Sequence, residues 1–220
     1  MLTLLASLTM ALAIDGAQPA TPSRSDADLS VTVRIHDYAH VPGDLLSRAS
    51  DQVTRLYETI GVHTTWYDVL QFPLKRARSR GEDANLPLAQ LTINILTPEM
   101  ASRRPIQADV LGFAVVPQDG MGRIAYVIYD RVHRVAAGAA ASDVDLLGFV
   151  LAHEIGHLLG LRSPDGLLKC HWDRLEVRQM NVRNVEIQPF EAQRIRSTIE
   201  QDSATALAAA RAGARPPERR

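Results

Sequence analysis

The sequence predicts an α+β domain: a mixed, twisted sheet of about five strands packed on two helices, with a C-terminal subdomain ending in a final helix. Three observations predict it. Short strand-like apolar runs bounded by turn residues recur along the first two thirds of the chain. Two longer segments instead space their apolar residues three and four apart, as a helix face does. The first of these lies between two strand-like runs, so the chain opens as a β-α-β unit with a parallel pair.

Taken in order, residues 29–35 alternate Val31, Val33 and Ile35 against Thr32 and Arg34, the pattern of a half-buried strand. A helix follows. Pro42 stands where a first-turn proline belongs, and Leu45, Leu46, Ala49, Val53, Leu56, Tyr57 and Ile60 form its apolar stripe. Gly61 occupies the stop position. Residues 62–69 read as a second strand, and 91–96 as a third. Between them the basic run Lys75-Arg76-Ala77-Arg78-Ser79-Arg80 lacks interleaved aromatics, so it reads as a solvated loop and not as a nucleic-acid surface. Residues 111–116 and 124–129 form strands four and five, with Gly120 and Gly122 in the turn between them. Ser142 and Asp143 offer caps for an amphipathic helix over 144–159, carried by Leu147, Val150, Leu151, Ile155 and Leu158 and ended by Gly160. Residues 161–188 read as mostly irregular. Pro189 opens the last helix, in which Ala192, Ile195 and Ile199 share a face.

Length and composition bound what such a domain can do. The 220 residues suffice for one substantial core and not for two ordinary domains. A net charge of -1 leaves no global field to recruit nucleic acid. Residues 1–13 carry no charge and match the apolar region of a secretory signal, with Ala11-Leu12-Ala13 as a small-x-small cleavage site. The stretch is too short for a membrane span. The expected organisation is therefore a signal peptide over 1–13, a linker over 14–28, one domain over 29–201 and a flexible tail over 202–220, in a secreted or periplasmic protein whose mature form has no membrane span. The single cysteine, Cys170, forbids an intramolecular disulfide, which leaves the core or a metal to supply stability.

The segment His153-Glu154-Ile155-Gly156-His157 carries the chemistry. Residues four apart on a helix share a face, so His153 and His157 can offer two imidazole nitrogens to one ion, and a tetrahedral zinc site accepts such a pair. Glu154 points about a quarter-turn aside. From there it can reach a metal-activated water and take its proton as general base, then pass that proton to the leaving amine. Two imidazoles on the buried side of a helix also need partners, which zinc would provide.

His153-Glu154-x-x-His157-x-x-Gly160 resembles the first two thirds of the metzincin signature, whose third histidine follows the glycine by three residues. From about Val31 to Ile199 the chain also resembles secreted bacterial zinc metallopeptidases of the zincin type. The shared markers are Val33-Arg34-Ile35 leading to Tyr38-Ala39, then Leu111-Gly112-Phe113-Ala114, Ala125-Tyr126-Val127-Ile128-Tyr129-Asp130-Arg131-Val132, Ser163-Pro164-Asp165-Gly166-Leu167-Leu168 and Trp172. The resemblance implies a zincin-like fold, a zinc cofactor, a peptide or protein substrate cut by a metalloendopeptidase, and an edge strand at 111–116 that aligns an extended substrate by strand addition. It also implies a Met-turn beneath the metal. This sequence departs at two points: Ser163, preceded by Arg162, stands at the third-ligand position, and Leu168 stands where methionine is expected. Candidates for the third ligand are then Asp165, in its Pro-Asp-Gly turn, and after it His171. The departure keeps a second reading open, a catalytically degraded zincin that binds a peptide or partner without cleaving it. His36 and His40, placed in a loop after the first strand, and His63 and His133 read as surface or packing residues. Cys170 reads as a free thiol beside His171, and Tyr126 and Tyr129 as packing in or beside the sheet.

Overall fold

Alternation in the first strand sets the register of its neighbours. The computed structural model describes residues 29–69, 89–118, 120–162, 167, 174–179 and 185–213. Strand β1 (Leu29–Asp37) buries Val31, Val33 and Ile35. It pairs in parallel with β2 (Val62–Asp68), Val31 opposite Thr64, and with β3 (Ala89–Leu96), Val33 opposite Leu91. On the far side of β3 lies the parallel strand β5 (Ile124–Ile128), and β4 (Gly112–Val115) closes that edge antiparallel, Gly112 opposite Val127. The order β2-β1-β3-β5-β4 is a five-stranded mixed sheet of the expected class, with strand ends within about two residues of those read from the pattern.

The first helix, α1 (Gly43–Glu58), buries Leu46, Ala49, Val53, Leu56 and Tyr57, the expected stripe. Pro42 sits one position outside it, its carbonyl accepting the Leu46 N–H at 3.0 Å. Gly61 holds φ +69 in the turn to β2, and a Cβ there would lie 2.6 Å from Arg196 Nη1. The motif helix, α4 (Asp143–Leu158), starts where Ser142 accepts the Asp145 N–H at 3.3 Å. Of its 16 residues only Asp143, Asp145 and His157 escape burial. The expected amphipathic helix is thus an enclosed one: α1 flanks it, as do β4, β5 and α3 (Tyr129–Ala139). Tyr57 reaches across from α1, its hydroxyl donating to the Ala152 carbonyl at 2.9 Å.

Three helices depart from the expectation. The short helix α2 (Pro98–Ser102) starts on the Thr97 hydroxyl, which accepts the Met100 N–H at 3.2 Å. Helix α3 opens at Tyr129, which the pattern assigns to strand five; its cap position, Ile128, makes no side-chain bond and so leaves no sequence mark. Helix α5 (Arg174–Gln179) interrupts the stretch read as irregular. A fourth correction concerns the tail. Helix α6 (Pro189–Gly213) runs straight through the position where a flexible segment is expected from 202. Its second half is rich in alanine, the strongest helix former. Arg123 also pairs with Asp202 there. The segments expected to be a signal peptide (1–13) and a linker (14–28), and the basic run at 75–80, lie outside the described residues.

Candidate metal centre

Helix periodicity puts His153 and His157 one above the other, with their Nε2 atoms 3.2 Å apart. The rings stand nearly perpendicular, at 78°. Each Nδ1 meets a backbone carbonyl: His153 donates to Leu167 O at 3.1 Å and His157 to Leu161 O at 3.4 Å. A carbonyl can only accept, so these bonds place the ring protons on Nδ1 and turn two unprotonated Nε2 atoms toward each other. Burial pushes His153 down to about 4, helped by the neighbouring His157, and burial also lowers His157. Both rings are therefore neutral at pH 7, the form that ligates metal. Two lone pairs at this distance repel unless a cation lies between them. Two nitrogens on a tetrahedral zinc, each about 2.0–2.1 Å from the ion, stand roughly 3.3 Å apart. The pair fits that ion.

Local sequence explains the arrangement at the helix end. Leu161 N–H bonds Gly156 O at 3.0 Å and Gly160 N–H bonds His157 O at 3.1 Å, the pairing of a helix closed by a left-handed residue. Gly160 supplies that conformation at φ +91, and a Cβ there would lie 2.7 Å from Thr198 Oγ1 on α6. The turn it permits brings the Leu161 carbonyl under His157.

Glu154 is 3% exposed. Its Oε2 has no hydrogen-bond partner among the described residues, and its Oε1 lies against Gly112, where a Cβ would stand 2.7 Å away. Gly112 thus lets β4 approach α4 closely at the carboxyl. Burial raises the Glu154 pKa to about 8. Between the β4 edge and α4 opens a cleft of about 540 Å³, lined among others by Leu111, Gly112, Val150, His153, Glu154 and His157. Arg162 also lines it, donating to Pro117 O at 2.6 Å.

The structure therefore assembles His153, Glu154 and His157, as the spacing predicts. Asp165 and His171, the candidates for a third ligand, lie outside the described residues, as do Ser163, Leu168 and Cys170. Among the described residues no group of three His, Cys, Asp or Glu side chains converges to hold a metal. His36 lies within β1 and not in the loop after it, His40 sits at φ +53 in the turn, and His63 lies on β2. His133, on α3, bonds Asp143 at 2.7 Å. None of the four lines the cleft. Tyr126 stacks on Phe113 with ring centroids 4.7 Å apart. Sequence reasoning misses the carbonyls of Leu161 and Leu167, which no side-chain pattern encodes. It also misses Gly112 at the carboxyl, and Glu191, which accepts the Leu167 N–H at 3.2 Å. Glu191 did carry a signal: it follows Gln188 by three residues at a helix start, the spacing of a capping box.

No family model matches the chain. No curated protein matches it either. Among solved structures, archaemetzincin from Methanopyrus kandleri is similar at 17% identity over 81% of this chain and 98% of that one, with a TM-score of 0.45. Metalloproteinase-II from Bacteroides fragilis is similar at 13% identity over 80% of this chain and 55% of that one, with a TM-score of 0.39. A Thermotoga maritima protein, TM1509, shows 14% identity over 86% of this chain and 99% of that one, with a TM-score of 0.36.

Proposed function

We propose that this chain is an exported zinc metalloendopeptidase of the zincin type, in which His153 and His157 hold the ion and Glu154 is the general base. One observation carries the reading: two neutral imidazoles turn unprotonated Nε2 atoms toward each other at 3.2 Å, beside a buried carboxyl with one oxygen unpartnered among the described residues. Zinc bound there supplies a Lewis acid that polarises a peptide carbonyl and acidifies water. The remaining work falls to the chain itself. Leu167 and Leu161 keep the ring protons on Nδ1, so both imidazoles stay available as ligands. Glu154 takes a proton from the attacking water on its Oε2, unpartnered among the described residues, and returns it to the leaving amine. Glu154, raised by burial, would ionise at neutral pH once a cation were held beside it. The edge strand β4 borders the cleft and offers backbone groups to an extended peptide. Asp165, or else His171, completes the ligand set.

The test of the chemistry is cleavage of a mixture of unstructured peptides by the zinc-loaded protein and by Glu154→Gln. The variant is expected to keep its zinc and to lose about 10²–10⁴-fold in rate. A variant that loses its metal makes Glu154 a ligand, and one that cleaves at the full rate removes it from the reaction. Export rests on the apolar residues 1–13. Protein collected outside the producing cell is expected to begin near residue 14, whereas an intact Met1 on cytosolic protein contradicts export.

A further inference from the structure

Glu191 is the third residue of α6, is 1% exposed and does not line the cleft. Both its oxygens accept backbone N–H groups, Oε2 from Gln188 at 2.9 Å and Oε1 from Leu167 at 3.2 Å. The first bond is a helix cap. The second is not, because it reaches 24 positions back along the chain to a residue that is wholly buried. Leu167 in turn accepts the Nδ1–H of His153 on its carbonyl, at 3.1 Å. A fixed N–H on one side of the Leu167 Cα, together with a buried side chain, leaves the carbonyl on the other side little freedom. Glu191 also stands close enough to Tyr57 to add to the burial that keeps that phenol protonated, and the Tyr57 hydroxyl donates to Ala152, the residue before His153. The carboxylate thus stands where α1, α4 and α6 come together.

We propose that Glu191 is a positioning residue of the metal centre: by holding Leu167, it holds the carbonyl that fixes the tautomer and orientation of the His153 ring. The inference rests on the reading of His153 and His157 as zinc ligands. It needs a carboxylate specifically. Two N–H donors converge on the residue, and a carboxylate accepts at both oxygens where an amide accepts at one. Leu167 is one hydrogen bond removed from the ligand and Glu191 two, and outer partners of this kind act on metal affinity through ligand geometry.

The experiment is a mutant cycle on the full chain, read as zinc affinity by competition with a chelator and as thermal melting of the metal-free protein. Glu191→Gln is expected to weaken zinc binding about 10–100-fold while the metal-free melting temperature moves by only a few degrees. In a His157→Ala background the same loss should recur. In a His153→Ala background it should vanish, because Glu191 acts through the ring that is no longer there. Glu191→Asp keeps the charge, shortens the reach of both oxygens by one methylene, and runs through the same cycle, so a failure of the amide variant to fold leaves the test intact. Unchanged affinity, or equal losses in both histidine backgrounds, overturns the inference while leaving the metal site standing. A wild-type chain that binds no zinc overturns the site and the inference together.

Discussion

Glu154 and the two histidines respond to burial in opposite directions, and that opposition gives the cleft a pH signature. Glu154 titrates near 8 in the folded protein against 4.5 for the free group. The folded state therefore holds that proton more tightly than the unfolded chain. Its stabilising contribution is complete below pH 4.5 and is lost as pH rises through 8. His153, lowered from 6.5 to about 4, contributes fully above pH 6.5 and loses that contribution as pH falls through 4. His157 is displaced the same way. Between pH 6.5 and 8 the carboxyl acts without them. Metal-free protein is expected to lose roughly 1.5 kcal/mol across that window, at 1.36 kcal/mol per pKa unit. Urea midpoints at the two pH values measure it, and Glu154→Gln should flatten the slope. A variant that keeps the slope places its origin elsewhere. At this scale the site was legible: spacing alone puts His153, Glu154 and His157 together, because helix geometry is local. The groups that fix the rings, Leu161 O and Leu167 O, were not legible, since every residue carries a carbonyl and only tertiary packing selects these two.

Elements divide along the same line. The strands and α1 follow their apolar periods closely, because each has one buried face. Helix α4 does not, since sheet and helices enclose it and burial no longer alternates with exposure. Helix α3 carries no sequence signal at either end: it continues from β5 without a side-chain cap, and it ends on Ala140 in a left-handed conformation without the usual glycine. At the end of α4 the sequence does speak. Gly160 is required twice, by its φ of +91 and by the 2.7 Å from its would-be Cβ to Thr198 Oγ1. Gly160→Ala is expected to cost about 2 kcal/mol from the left-handed backbone alone. Zinc binding should weaken with it, as the Leu161 carbonyl shifts from His157. Thermal melting and a zinc titration read the two effects separately. A variant as stable and as zinc-avid as wild type would show that the turn does not brace the site.

Across the whole molecule, α6 ties the far parts of the domain to the motif helix. Arg196 donates to Ile60 O at 3.0 Å at the end of α1, Arg194 donates to Gly160 O at 3.4 Å, and Ile195 and Ile199 lie buried between. A helix whose second half the composition assigns to a flexible tail is thus the brace behind the histidine pair. Alanine-rich sequence carries helix propensity but no apolar stripe, which is why pattern alone could not place it. The central claim concerns what this scaffold holds: one zinc ion per chain, on His153 and His157. The direct measurement is equilibrium dialysis of the purified protein against buffered zinc, with metal and protein quantified together, for wild type and for His153→Ala, His157→Ala, Asp165→Ala and His171→Ala. Wild type is expected to bind one equivalent, and each motif histidine to cost more than the roughly 10–100-fold that a supporting residue costs. One of Asp165→Ala and His171→Ala should match them. A wild-type chain that takes up no zinc, or a His153→Ala/His157→Ala double variant that still holds its equivalent, would contradict the account.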